Sequence, residues 1–123
     1  MQLCHSGTIA LALGMFLLPT LGISGDKRYG PGVTDTEVKI GQTMPYSGPN
    51  SAYGTIGRSE IAYLEKINAE GGVNGRKIRL ISLDDGFNPA RTVEQTRKLV
   101  EEEQVLLLFS SLGTATNTAI HKY

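Results

Sequence analysis

The sequence predicts an α/β fold, the first part of a doubly wound parallel sheet, and three observations carry that prediction. Strand-like segments alternate with segments of helical spacing, small and turn-forming residues follow each strand-like run, and the third such run is apolar throughout. Parallel strands need crossover connections, and those connections are right-handed.

The first strand is expected over residues 38–44, which alternate apolar and polar side chains and stop at Pro45. The loop that follows, Pro45, Tyr46, Ser47, Gly48, Pro49 and Asn50, continues neither a strand nor a helix comfortably. From Ser51 onward Ile56, Tyr63, Leu64 and Ile67 recur near helical spacing, and the pattern ends at Gly71 and Gly72. Such glycines suit a helix carboxyl terminus, where one residue commonly turns left-handed. After the turn signal Asn74-Gly75, residues 77–83 alternate as a second strand with Asp84 and Asp85 at its carboxyl end.

Asn88 is a good N-cap and Pro89 a good first helical residue, and Val93, Thr96, Leu99 and Val100 give this second helix its apolar side. Glu101, Glu102 and Glu103 sit at the end where the helix dipole disfavours them. The continuous apolar run 105–109 has the signature of a strand covered on both faces. A loop over 110–114 and a third helix from Ala115 complete the order.

Ahead of these elements the first 24 residues carry no charged side chain, and 8–23 is an apolar run broken only by Gly14, Pro19, Thr20 and Gly22. Residues 1–24 read as a secretory signal peptide, with Gly22 and Ser24 three and one before a cleavage at Gly25, and imply a periplasmic destination. The absence of Lys and Arg before the apolar core departs from the usual pattern of such signals. Cys4 is the only cysteine, so the mature chain is expected to have neither a disulfide nor a thiolate metal site. Residues 25–37 read as an exposed amino-terminal segment, and 38–123 as the folded unit.

Twelve Lys plus Arg balance twelve Asp plus Glu, so no basic field draws the chain to nucleic acid. In an open parallel sheet ligands bind beyond the carboxyl ends of the strands, which selects residues 47–53, 84–88 and 110–116. The last of these opens a helix, where backbone N–H groups and Ser or Thr hydroxyls suit a carboxylate; the alternative is that Thr114 or Thr116 simply caps that helix. Tyr53 offers either an aromatic face to a ligand or ordinary packing. Asp84 and Asp85, adjacent on a strand, point to opposite faces, so one is expected to cap its loop and the other to be solvated rather than both to hold a metal. Gly48, Gly54 and Gly57 lack the spacing of a dinucleotide fingerprint, and neither His5 nor His121 has neighbours for a metal cluster or a catalytic pair, so no cofactor, metal or catalytic residue is expected.

The motifs, taken in order, are Val38-Lys39-Ile40-Gly41, Ser47-Gly48-Pro49, Tyr53-Gly54, the segment Ile67-Asn68-Ala69-Glu70-Gly71-Gly72-Val73-Asn74-Gly75, and Asp84-Asp85 followed by Pro89. Together they resemble the branched-chain amino-acid-binding proteins of ABC importers, periplasmic binding proteins of the Leu/Ile/Val-binding type, over nearly all of 37–123. The resemblance implies a type I two-lobed receptor without chemistry of its own. Such a receptor closes around a small solute, an amino acid or a related carboxylate or amide, and presents it to a membrane permease. It also implies ligand contacts near Ser47 and Tyr53, and carboxylate contacts from Ser111, Gly113, Thr114 and Thr116.

Two departures stand out. Gly113 takes the place of a carboxylate-binding serine, and Phe87 and Leu112 lie near the places of the family's cysteines. Because members of the family continue through a second lobe, the chain is expected to be an amino-terminal part of such a receptor. A ligand-sensing domain of the same fold in a signalling receptor, and a small α/β enzyme using Asp84 or Asp85 with a divalent metal, are the alternative readings.

Overall fold

The computed structural model describes residues 28–123; the signal-peptide reading of 1–24, the cleavage at Gly25 and Cys4 lie outside them. Strand β1 (Glu37–Met44) leads through a short 3₁₀ turn (Ser51–Tyr53) into helix α1 (Gly54–Ala69). Strand β2 (Lys77–Asp84), helix α2 (Pro89–Arg97) with a following π-helical turn (Lys98–Glu102), and helix α3 (Thr114–Ile120) complete the order. The alternation expected from the sequence is therefore present through the first two strands and their helices, with boundaries displaced by a residue or two at most elements.

The two strands pair in parallel from Glu37 opposite Lys77 to Met44 opposite Asp84, without a break. Side chains alternate along β1, and its two faces carry different helices. Gln42 and Met44 face α1, because a Cβ added at Gly57 would lie 3.1 Å from the Gln42 Oε1 and 3.0 Å from the Met44 Cγ. Gly41 faces the turn after α2, where both methyl groups of Leu99 and one of Val105 stand 3.1 Å from the position of a Cβ. Helices on both faces of a parallel pair are the doubly wound arrangement. The buried apolar side chains among the described residues are Met44, Leu99 and Val105, so the core is small and centred on β1.

Local chemistry sets the ends of these elements. Gly72 has a φ of 76°, and a Cβ there would meet the Arg76 carbonyl oxygen at 2.1 Å, so only glycine fits where the chain leaves α1. Asn68, in the last turn of α1, donates to the Ile78 carbonyl at 2.7 Å and accepts from its N–H at 2.8 Å, which fastens the helix end to β2. Asn88 caps α2 as expected, accepting from the N–H groups of Ala90 and Arg91. Thr92, Thr96 and Leu99 are the residues that this helix and its π turn bury, so its inner side is more polar than the predicted stripe of Val93, Thr96, Leu99 and Val100.

The third strand-like run differs most from its expectation. Residues 105–109 do lie beside β1, on the side away from β2, but they form a single parallel bridge between Leu108 and Gly41. Around that bridge Gly41 donates to the Leu107 carbonyl at 2.9 Å and Phe109 donates to the Gly41 carbonyl at 2.7 Å. The next bonds are out of register: Leu106 rather than Leu107 donates to Lys39, and Leu112 rather than Ser111 donates to Thr43. Gln104 and Ser110, which flank the run, both have a φ of 52°, a left-handed conformation that no ladder can carry. Nor is the run covered on both faces: Leu106 and Leu107 are each 47% exposed and Phe109 40% exposed. Apolar composition placed the segment next to β1, and backbone geometry kept it from becoming a full strand.

The amino-terminal segment is held in place from Tyr29 onward. The Arg76 guanidinium lies 5.1 Å from the centre of the Tyr29 ring, and the Lys39 N–H donates to the Gly32 carbonyl at 2.7 Å. Gly32 itself passes so close to the Gln104–Leu106 backbone that a Cβ would stand 2.4 Å from the Leu106 nitrogen. Among the described residues no helix is long and apolar enough to cross a membrane.

Candidate functional site

The carboxyl ends of β1, β2 and the 105–109 run all open at one edge, and the loops that leave them touch one another. A Cβ on Gly48 in the first loop would stand 3.6 Å from the Gly86 carbonyl oxygen in the second. One on Gly113 in the third would stand 2.6 Å from the Phe87 ring of the second. The segments 47–53, 84–88 and 110–116 thus form one continuous rim.

Asp84, the last residue of β2, organises the first two loops. Its Oδ1 accepts from the N–H groups of Tyr46 at 2.8 Å, Ser47 at 3.1 Å and Gly86 at 3.0 Å. Its Oδ2 accepts from the Ser47 hydroxyl at 2.6 Å and from Arg91 Nη2 at 3.2 Å. Partial burial pushes this carboxyl up, but the Ser47 hydroxyl and the N–H groups of Gly86, Ser47 and Tyr46 outweigh it and hold the pKa at about 2.

Asp85 points the other way and is fully buried, accepting from the Phe87 N–H at 2.9 Å and the Thr92 hydroxyl at 2.8 Å. Asp85 therefore caps its loop, as one of the pair was expected to. The expectation that the other would be simply solvated is corrected: at 30% exposure Asp84 is the hydrogen-bond centre of the rim. The reason is geometric, since the parallel register brings Met44 and Asp84 level and so delivers the first loop onto the carboxylate. Among the described residues no three His, Cys, Asp or Glu side chains converge as a metal ion needs.

The sequence-selected residues divide by what their polar atoms already hold. The Ser47 hydroxyl is spent on Asp84, and the buried Thr116 hydroxyl donates within its own turn to the carbonyls of Leu112 and Gly113 at 2.6 and 2.8 Å. Thr114 is exposed at the first turn of α3, and Tyr53 is 54% exposed at the end of the 3₁₀ turn. The Ser111 Oγ accepts a long 3.4 Å bond from the Thr43 N–H, which leaves its own proton to donate.

Gly113 has a φ of 108°, and a Cβ there would lie 2.5 Å from the Thr116 Oγ1 as well as against Phe87. A serine cannot be placed at Gly113 without moving the loop, so the departure noted in the sequence is built into this rim. An open depression of about 620 Å³ lies alongside, lined by Gly113, Thr114, Asn117, Thr118 and His121.

Sequence reasoning missed Arg91, Asn117 and Glu60. Arg91 grips the Asp84 carboxylate and carbonyl, Asn117 donates to the carbonyls of Ser111 and Gly113, and Glu60 accepts from the Ser110 hydroxyl. All three lie on helices and act back on a loop distant in sequence or on the preceding turn. Of the three, only Asn117, four residues after Gly113 at the start of a helix, had a local signal to be read.

Comparison with known proteins agrees with this geometry. A family model described as periplasmic binding protein matches residues 37–123. The chain is 37% identical over 73 residues to an amino acid binding protein of Pseudomonas aeruginosa, covering 57% of this chain and 19% of that protein. It is 33% identical over 92 residues to Leu/Ile/Val-binding protein homolog 7 of Brucella abortus, covering 73% of this chain and 23% of that one. Among solved structures, the fatty acid ABC transporter substrate-binding protein of Thermomonospora curvata superposes with a TM-score of 0.68 at 30% identity, over 77% of this chain and 24% of its own. The chain spans about a quarter or less of the length of these relatives. Loops gathered at the carboxyl edge of a parallel sheet and a family match over all of 37–123 lead to one conclusion: the chain belongs to the periplasmic binding protein family.

Proposed function

We propose that the chain provides one wall of the solute cleft of a periplasmic substrate-binding protein that serves an ABC importer, with residues 38–123 forming part of its first lobe. The solute class is a branched-chain amino acid or a related small carboxylate or amide, and the receptor hands it to a membrane permease without transforming it. The observation that carries the reading is the continuous rim in which Asp84 binds the first loop to the second and Phe87 closes on Gly113 of the third. Relatives named for leucine, isoleucine and valine, and one named for a fatty acid, support a carboxylate-bearing ligand and leave the side-chain preference to the individual receptor.

On this reading the residues of the rim take different parts. Tyr53 lies over the apolar part of the solute, while the Ser111 and Thr114 hydroxyls and neighbouring N–H groups take its carboxylate. Ser47 and Thr116 shape the rim from within, because their hydroxyls are already bonded. Thermal unfolding of the full chain with millimolar L-leucine, L-isoleucine, L-valine, decanoate, benzoate or urea tests the proposal. One wall of a cleft binds weakly, but even a solute at about ten times its dissociation constant adds about 1.4 kcal/mol of stability, so a measurable rise in Tm with at least one of them is expected. An unchanged Tm with every one of them overturns it.

A further inference from the structure

Behind the rim, on the α1 face of the sheet, a chain of side chains connects the first loop to the third. The Tyr46 hydroxyl meets the Ser82 Oγ at 2.6 Å, and the Ser82 hydroxyl donates to the Gln42 Oε1 at 2.7 Å, so the tyrosine is the donor of that pair. The Gln42 amide nitrogen donates to the Glu60 Oε2 and to the Ser110 carbonyl, the latter at 3.3 Å. The other oxygen of Glu60 accepts from the Ser110 hydroxyl at 2.7 Å. Gln42, at the centre of the chain, is fully buried, so an unmet bond there is costly, while the Ser110–Glu60 end is open to solvent.

Two features give this relay a direction and a purpose. The Glu60 carboxylate only accepts, and that fixes the orientation of the Gln42 amide and with it every proton back to Tyr46. At the other end Ser110 is a non-glycine residue at a φ of 52°, an unfavourable conformation that persists only where surrounding bonds impose it. The bonds that impose it here are those from its hydroxyl to Glu60 and to its carbonyl from Gln42. The left-handed turn at Ser110 is also what shifts the third loop out of register with β1 and sends residues 111–116 onto the rim.

We propose that Glu60 is a positioning residue that locks the third loop to α1 and, through Gln42, Ser82 and Tyr46, holds the first and third loops as one unit. The inference rests on the reading of those loops as the solute site, but its mechanical content is tested without a solute. Amide hydrogen exchange of the full chain reads the lock at Leu112 and Asn117, whose N–H groups are bonded to Thr43 and Gly113. Glu60→Ala is expected to speed exchange there by about tenfold, the effect of losing charged hydrogen bonds, while β1–β2 ladder amides keep their rates.

Glu60→Gln is expected to restore most of the protection. The introduced amide can accept from the Gln42 nitrogen through its oxygen and donate to the Ser110 Oγ through its nitrogen, so Gln42 keeps its orientation and its bond to the Ser110 carbonyl. Ser110→Ala, at an exposed side chain, gives a smaller local increase and is the variant to read if Glu60→Ala fails to fold. Unchanged exchange at Leu112 and Asn117 in Glu60→Ala, or in Ser110→Ala where that variant must serve, overturns the proposal. So does an equal rise in the ladder amides. The proposed function fails separately if the wild-type chain shows no Tm shift with any solute, whatever the exchange rates show.

Discussion

The two sides of β1 make different sheets from similar material. On one side β2 matches it residue for residue from Glu37–Lys77 to Met44–Asp84; on the other, a more apolar segment makes one bridge at Leu108 and slips register at both ends. The alternating β2 became the full strand, and the uniformly apolar 105–109 run did not. Hydrophobicity chooses which segments lie together, whereas an unbroken ladder needs several consecutive residues in extended conformation. Gln104 and Ser110, both left-handed, deny that to the third segment. The paired strands carry the Asp84 junction, whereas the third loop, which the slipped segment delivers, is tied back through Gln42 and Glu60 instead of by a ladder.

The largest expected effects fall where both sides depend on one contact. Gly57→Leu should abolish cooperative folding, because even a Cβ would lie 2.3 Å from the Tyr46 hydroxyl and a full side chain would lever α1 off β1. Circular dichroism melting checks this, and a cooperative transition near the wild-type Tm would show that α1 does not pack as described. Leu99→Ala comes next, with an expected loss of about 2–5 kcal/mol in denaturant unfolding, because Leu99 is fully buried under Gly41 where β1 meets the third segment.

Asp84 tests the well-ordered side. Its carboxyl is held at about 2 against an ordinary value of 3.8, so the unfolded chain binds the proton more tightly. The stabilisation is therefore complete above about pH 4 and is lost as the pH falls towards 2. With allowance for solvent screening of a partly exposed group, it amounts to on the order of 1 kcal/mol. Stability curves of wild type and Asp84→Asn should converge over that window, and parallel curves would mean that the carboxylate does not hold the first loop.

The smallest effect is expected on the slipped side. Leu107→Thr should change stability by about 0.5 kcal/mol or less, since its side chain is half exposed and the backbone bond to Gly41 remains. A loss above 2 kcal/mol would break the comparison by showing that the third segment is buried in solution.

Much of this architecture was legible locally. The N-cap at Asn88 with Pro89 after it, the glycines that end α1, the alternation of both strands and the place of the rim each follow from neighbours in sequence. Gly113 was legible as a departure from the family, but its cause was not: the contact with Phe87 joins residues 26 positions apart. Asp84 and Asp85 were read correctly as pointing to opposite faces. Which one would be buried depended on Thr92 and on the first loop, and neither is adjacent to them.

By itself, then, the sequence determined the order of elements, the parallel class and the edge at which the loops collect, because propensity, periodicity and capping act over a few residues. The tertiary structure alone decided three things: how far the third segment pairs, that Asp84 gathers the first loop, and that Glu60 reaches Ser110 fifty residues away. Those outcomes depend on register and on which side chains meet across the sheet, and long-range contacts of that kind have no signature in local sequence.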